Sequence, residues 1–147
     1  MKISEIMTSD VEVVTPEQPM QQAARLMLRI DAGVVPVQDG DSLIGIVTDR
    51  DIAVRGVAEG RAPETPIREV MSEKPLFCFE DDEVRDVAMK MSEAQVRRFP
   101  VLSREAQKLV GIVSLGDLTK ADQGQAAAAA LDGISEPGGA HNQSEQV

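Results

Sequence analysis

Tryptophan and tyrosine are absent from this sequence, and its only aromatic rings are those of Phe77, Phe79 and Phe99. That shortage removes the stacking platforms on which single-stranded nucleic acids are held. Basic residues are scarce relative to acidic ones: 15 Lys and Arg stand against 25 Asp and Glu, a formal charge of −10. A phosphate-backbone interface draws its affinity from cations that displace counterions, so no nucleic-acid partner is expected. The single cysteine, Cys78, has no second thiol for an internal disulfide or a zinc pair. The single histidine, His141, sits in a polar C-terminal stretch, so no His/Cys/carboxylate cluster has metal-ligand spacing and no Ser-His or Cys-His nucleophile pair can be assembled. These absences argue against an enzyme and against a bound metal. No apolar run approaches the roughly 20 residues of a membrane span, and Met1 to Ile6 lacks an apolar signal-peptide core. No membrane association is expected, and a soluble, cytoplasmic protein is.

What the sequence does hold is an internal repeat. Met7 matches Met71 and Pro36-Val37 matches Pro100-Val101 at an offset of 64 residues, while Leu43 to Thr48 matches Leu109 to Ser114 and Asp51 matches Asp117 at an offset of 66. The change of offset places two extra residues between Val101 and Leu109, where a hairpin loop absorbs them. Met20, Ala23, Ala24 and Met27 form an i, i+3, i+4, i+7 stripe that recurs as Val84, Val87, Ala88 and Met91, so each repeat carries an amphipathic helix. β-prone runs precede it at Val11 to Val14 and Leu76 to Phe79, and follow it at Val34 to Val37 and Phe99 to Leu102, then at Leu43 to Val47 and Leu109 to Val113. Asp39-Gly40 is a hairpin-turn dipeptide. Each last strand runs into a hydroxyl residue, Thr48 or Ser114, suited to cap a second helix.

The repeating unit is therefore β-α-β-β-α, and the fold class is α/β. The expected organisation is repeat 1 over residues 1–58, a Gly/Pro-containing linker over 59–66, repeat 2 over 67–121 and a C-terminal segment over 122–147. In that last segment Ala126 to Ala130 favours helix, but Gly133 to Val147 is rich in Gly, Ser, Gln and Asn and lacks a hydrophobic period. It is expected to be a flexible tail, removable after Asp132 without loss of fold.

The segment Gly45-Ile46-Val47-Thr48-Asp49-Arg50-Asp51, its echo Gly111-Ile112-Val113-Ser114-Leu115-Gly116-Asp117, and the strands Val35-Pro36-Val37 and Phe99-Pro100-Val101 resemble tandem cystathionine-β-synthase (CBS) domains. The likeness covers residues 1 to 121. The Thr-Asp-Arg-Asp-Ile turn and Gln95 to Val101 are further similar to stand-alone CBS pairs of the bacterial hypoxia-response type. The resemblance implies two repeats packed through their sheets with pseudo-twofold symmetry, two clefts, and a non-enzymatic regulatory role in which an adenine nucleotide (AMP, ADP or ATP) is sensed. It further implies that Asp51 and Asp117 contact ribose hydroxyls, that Thr48 and Ser114 contact phosphate, and that Arg97 and Arg98 reach phosphate held by the other repeat's signature. Gly33 and Val34, their counterparts in repeat 1, carry no charge, so the two clefts are expected to be unequal, with the Thr48/Asp51 cleft served by the arginines and the Ser114/Asp117 cleft the poorer phosphate site.

Local chemistry supports those roles and also a simpler one. A carboxylate accepts hydrogen bonds from a diol, and a hydroxyl at a helix start joins backbone N–H groups in holding an anion. Yet Ser/Thr-x-x-Asp is equally a capping-box arrangement that needs no ligand. A ligand-free structural or protein-interaction module is the alternative function. Cys78 aligns with Val14 and reads as a small buried hydrophobe, and the methionines read as core. Leu26, Met27, Leu28 and Ile30, with Ala53, Val54, Val57 and Ala58, exceed what one internal face can bury, so a homodimer is expected. The regulated protein partner leaves no trace in the sequence.

Overall fold

A computed structural model describes residues 1–119 and 125–135. It shows the expected α/β order twice. Helix α1 spans Met20–Ile30 and helix α3 spans Val84–Ala94, each ending at a residue in the left-handed conformation, Asp31 (φ 55°) and Gln95 (φ 57°). At both ends the chain closes alike: the Ala32 N–H donates to the Met27 carbonyl and the Val96 N–H to the Met91 carbonyl. The stripes face inward as the spacing requires. Met20, Ala23 and Met27 are buried on α1, as are Val84, Val87, Ala88 and Met91 on α3. Ala24 is only half-buried although its counterpart Ala88 is buried.

The strands form two three-stranded sheets. β1 (Val34–Asp39) and β2 (Ser42–Thr48) are antiparallel, joined by a tight turn in which Gly40 takes φ 60°, and β2 pairs in turn with β3 (Ser72–Glu73). β4 (Cys78–Phe79) runs parallel to β5 (Arg98–Leu102), which is antiparallel to β6 (Leu109–Ser114). The run Val11 to Val14, expected to be a strand, contributes only a bridge from Val14 to Val37. Both sheets carry an irregularity at the repeat-equivalent step, Val37/Gln38 and Val101/Leu102. The loop from Ser103 to Lys108 takes up the two inserted residues.

Two compact units result, and each borrows its leading segment from the other repeat. One contains Glu12–Pro75; the other joins Met1–Val11 to the described residues from Leu76 on. The first-repeat unit (Glu12–Pro75) is completed by Ile67, Val70 and Met71, and the second-repeat unit by Ile3 and Ile6, all buried. Glycine makes the exchange possible. A Cβ on Gly45 would lie 2.5 Å from the Ser72 carbonyl oxygen, and one on Gly111 would lie 2.5 Å from Met7 Sδ and 2.9 Å from the Thr8 carbonyl oxygen. The glycine of the repeated signature is thus the site where the lead segment passes against the last strand of its unit's hairpin, β2 or β6.

The C-terminal expectation needs correction. Helix α5 spans Gln125–Ile134 and packs on α3 and on α4 (Leu115–Leu118), with Ala130 and Ile134 inside the second-repeat core. Ile134 and Ala130 are one i, i+4 pair, too short a signal to stand out of a Gly/Ser-rich composition. A cut after Asp132 would remove a core side chain, so the dispensable segment cannot begin before Ser135. Residues 136–147, His141 among them, lie outside the described residues, as do Lys120 to Gly124. Cys78 is buried as expected, and burial, with a smaller contribution from Asp82, pushes its thiol up to about 12. Of the methionines assigned to the core, Met89 is instead exposed on α3. Among the described residues, no helix is long and apolar enough to cross a membrane.

Candidate ligand-binding site

Each signature lies where the last strand of its sheet turns into a helix. In the first-repeat unit Thr48 ends β2 in an extended conformation and caps α2 (Asp49–Asp51), which continues as a π-helical turn over Ile52–Val57. The Asp51 N–H donates to Thr48 Oγ1 at 2.9 Å, and the Thr48 N–H donates to Asp51 Oδ2 at 3.0 Å. In the second-repeat unit Ser114 caps α4, with the Asp117 N–H donating to Ser114 Oγ at 3.2 Å and the Ser114 N–H to Asp117 Oδ2 at 2.9 Å. The same reciprocal cap is thus built twice, and it holds hydroxyl and carboxylate side by side at the strand end.

The surroundings of the two caps differ. Asp51 is only 9% exposed. Its carboxylate accepts long hydrogen bonds from the Ser72 hydroxyl at 3.4 and 3.5 Å and lies 3.9 Å from Arg55 Nε, while Arg55 also donates to the Met71 carbonyl at 3.0 Å. Asp117 is half-exposed. Gly33 stands against Asp49: a Cβ on it would be 2.9 Å from the Asp49 carboxylate, and the Asp49 N–H donates to the Gly33 carbonyl at 3.0 Å. The equivalent backbone bond in the second-repeat unit runs from the Leu115 N–H to the Arg97 carbonyl at 2.8 Å, and Arg98 is the register partner of Ser114.

The structure therefore brings Arg97, Arg98, Ser114 and Asp117 together in one unit and Thr48 and Asp51 in the other. Within the second-repeat unit two exposed guanidinium side chains flank the start of β5 beside the Ser114 cap, where the first-repeat unit has Gly33, Val34 and the Asp49 carboxylate. Sequence reasoning missed Ser72 and Arg55. The signals were present: Ser72 is the counterpart of Thr8 in the repeated lead, and Arg55 lies one helical turn after Asp51. Among the described residues no group of three or more His, Cys, Asp and Glu side chains could hold a metal ion.

The CBS domain family matches residues 3–56 and 67–124. Protein YlbB of Bacillus subtilis is 41% identical over 138 residues, covering 92% of each chain. Hypoxic response protein 1 of Mycobacterium tuberculosis is 33% identical over 118 residues, 79% of this chain and 81% of its own. Its crystal structure with two coordinated zinc ions superposes with a TM-score of 0.74 over 82% of this chain and 98% of that one, at 33% identity. The CBS domain pair of protein MJ0100, solved with 5′-methylthioadenosine and S-adenosyl-L-methionine, has a TM-score of 0.72 at 26% identity over 82% of this chain and 94% of that one.

Proposed function

This chain belongs to the CBS domain family, and from that premise we propose that it is a non-enzymatic regulatory module that binds an adenine nucleotide through its two signature turns. The observation that carries this reading is the duplicated cap: Thr48/Asp51 and Ser114/Asp117 present a hydroxyl and a carboxylate in the same reciprocal geometry at two strand ends. The related pair of protein MJ0100 holds two adenosine-bearing ligands. In our reading Asp51 and Asp117 accept from ribose hydroxyls, Thr48 and Ser114 face phosphate, and Arg97 and Arg98 add charge-assisted hydrogen bonds to it. Cations matter more in a chain of formal charge −10. The module acts as a homodimer in the cytoplasm, and occupancy alters which of two states a protein partner meets; differential affinity for those states is the only way a ligand can do this.

Isothermal titration with AMP, ADP, ATP, S-adenosylmethionine and adenosine tests the proposal. Asp51→Asn and Asp117→Asn retain an acceptor for the cap but lose the carboxylate, and each should weaken every adenosine-bearing ligand at its own site by about five- to hundred-fold, or roughly 1–3 kcal/mol. Arg97→Ala and Arg98→Ala should weaken AMP and ATP more than adenosine. Absence of saturable binding to any of the five would overturn nucleotide sensing and leave the ligand-free interaction module, in which the cap of Asp51 serves its helix alone.

A further inference from the structure

The three backbone N–H groups that open the first signature turn are all taken by the chain itself. The Asp49 N–H donates to the Gly33 carbonyl at 3.0 Å, the Arg50 N–H to Asp49 Oδ1 at 2.8 Å and the Asp51 N–H to Thr48 Oγ1 at 2.9 Å. In the second of these bonds a carboxylate sits on an N–H of a helix start, where an anionic ligand would otherwise be held. Asp49 is exposed, and a Cβ on Gly33 would lie 2.9 Å from its Oδ2, so it is the bare backbone at residue 33 that lets the carboxylate lie against the start of β1.

Leu115 holds the counterpart position in the second turn. Its N–H likewise donates to a backbone carbonyl, that of Arg97 at 2.8 Å, but its side chain brings no acceptor to the Gly116 N–H. Where Gly33 makes room for a carboxylate, Arg97 carries a guanidinium, and Arg98 takes the place of Val34 opposite the capping residue. Side chains directly opposite in an antiparallel pair share a face, so Arg98 stands beside Ser114 as Val34 stands beside Thr48. The first turn thus sets Asp49 and Asp51 against Arg50 and Arg55, and Arg55 is already engaged by the Asp51 carboxylate and the Met71 carbonyl. The second sets Asp117 against Arg97 and Arg98.

We propose that Asp49 is a specificity-determining residue that bars phosphate from the first signature turn. That turn then takes an adenosine derivative whose 5′ substituent is uncharged or cationic, a thioether or a sulfonium, while a phosphorylated adenosine goes to the second turn. The inference rests on the nucleotide reading given above and narrows it at Thr48, whose neighbouring 5′ group is then not a phosphate. It also reverses the order of the two phosphate sites that the family resemblance implies. Like charges about 4 Å apart repel by an amount worth about fivefold in affinity in water, and by more where solvent is partly excluded. A phosphate would in addition find the Arg50 N–H occupied. A sulfonium is attracted by the same carboxylate, and a thioether is indifferent to it.

Isothermal titration with AMP, 5′-methylthioadenosine and S-adenosylmethionine tests this in the full chain carrying Asp117→Asn, which weakens the second turn, with and without Asp49→Asn. Asparagine keeps an acceptor for the Arg50 N–H and the shape of the side chain beside Gly33, so only the charge is lost. With Asp49 present, AMP should bind about tenfold or more weakly than methylthioadenosine. Asp49→Asn should strengthen AMP by about tenfold, leave methylthioadenosine within about twofold and weaken S-adenosylmethionine. The gain for AMP should shrink between about 50 and 500 mM salt, as screening of an exposed charge requires. The chain carrying Asp51→Asn instead, in which the second turn is intact, should prefer AMP to methylthioadenosine. The assignment to Asp49 is overturned if the chain that retains Asp49 binds AMP as tightly as methylthioadenosine, or if Asp49→Asn leaves the ratio of the two affinities unchanged. If none of the three ligands binds either the Asp51→Asn or the Asp117→Asn chain, the nucleotide reading itself fails and this inference fails with it.

Discussion

Where the first repeat exposes Leu28, the second half-buries Ser92 against α5; where the first buries Asp51 among Ser72 and Arg55, the second leaves Asp117 half-exposed beside two arginines. Beneath these surfaces the frames coincide, with the same helix stripe, the same left-handed helix end, the same strand irregularity and the same reciprocal cap. The backbone frame is common although the core side chains differ, Met20 against Val84, Ala23 against Val87 and Val35 against Phe99, so each interior fills the same frame with a different set of volumes. The periphery, where substitutions cost little, has diverged into two different faces and two different electrostatic settings. What the repeats share is the cap that carries the proposed function, and what they do not share is what sets its two settings apart.

The largest effect should come from breaking the difference at α5. Ile134→Ala removes a buried side chain from the second-repeat core and should cost about 2–4 kcal/mol in chemical denaturation. Leu28→Ala, at the counterpart face, should change the stability of the chain by no more than about 0.5 kcal/mol. A chain ending at Ser135 should match the full chain, and one ending at Asp132 should resemble Ile134→Ala. Equal midpoints for the two shortened chains would mean that α5 does not contribute to the core.

Next in size is the shared glycine. Gly45→Ala and Gly111→Ala each push a methyl group into the lead segment, and overpacking of this kind costs about 1–3 kcal/mol. Gly45→Ala should be the more damaging, because its obstacle is the Ser72 backbone oxygen, whereas the nearest atom to Gly111 is the sulfur of the flexible Met7 side chain. The reverse order would show that the Thr8 carbonyl, not Met7, limits the second unit.

Much of this was legible in the sequence because it is periodic. The stripes of α1 and α3, the hairpin at Asp39-Gly40 and the capping residues Thr48 and Ser114 each obey a local rule within a few residues. The exchange of lead segments obeys none. Ile3 and Ile67 are interchangeable in pattern, and only long-range packing decides which core each enters. The burial of Asp51 by Ser72, 21 residues away, shows in the sequence only through the repeat, as the match of Ser72 to Thr8. Val11 to Val14 shows the converse failure, a β-prone run that found only one bridging partner.

The caps give a smaller contrast. Loss of the carboxylate in Asp51→Ala removes an N3 partner of the cap, takes the acceptor from the Ser72 hydroxyl and leaves Arg55 with only the Met71 carbonyl, for about 2 kcal/mol. Asp117→Ala, half-exposed and accessible to water in its place, should cost about 1 kcal/mol. Thermal unfolding without added nucleotide measures both. Identical losses would mean that burial adds nothing to the Asp51 cap.

The smallest effect separates Cys78 from its first-repeat counterpart Val14, both fully buried beside the Pro-Val strand of their units. Burial raises the Cys78 thiol from 9.0 to about 12. A folded-state value above the unfolded one means that the folded chain holds its proton more tightly. The stability this contributes is complete below pH 9 and is lost as the pH climbs toward 12. At about pH 7.5 the wild type and Cys78→Val should therefore respond alike to small changes of pH. By about pH 9.5 the wild type should have lost about 1 kcal/mol relative to the valine variant, since every tenfold excess of thiolate over thiol in the unfolded chain is worth about 1.4 kcal/mol. Denaturation of both chains at the two pH values reads the difference directly, and parallel losses in the two would show that Cys78 does not carry the alkaline sensitivity. The native thiol should also resist alkylation at about pH 8, because only the thiolate reacts and the buried group supplies almost none.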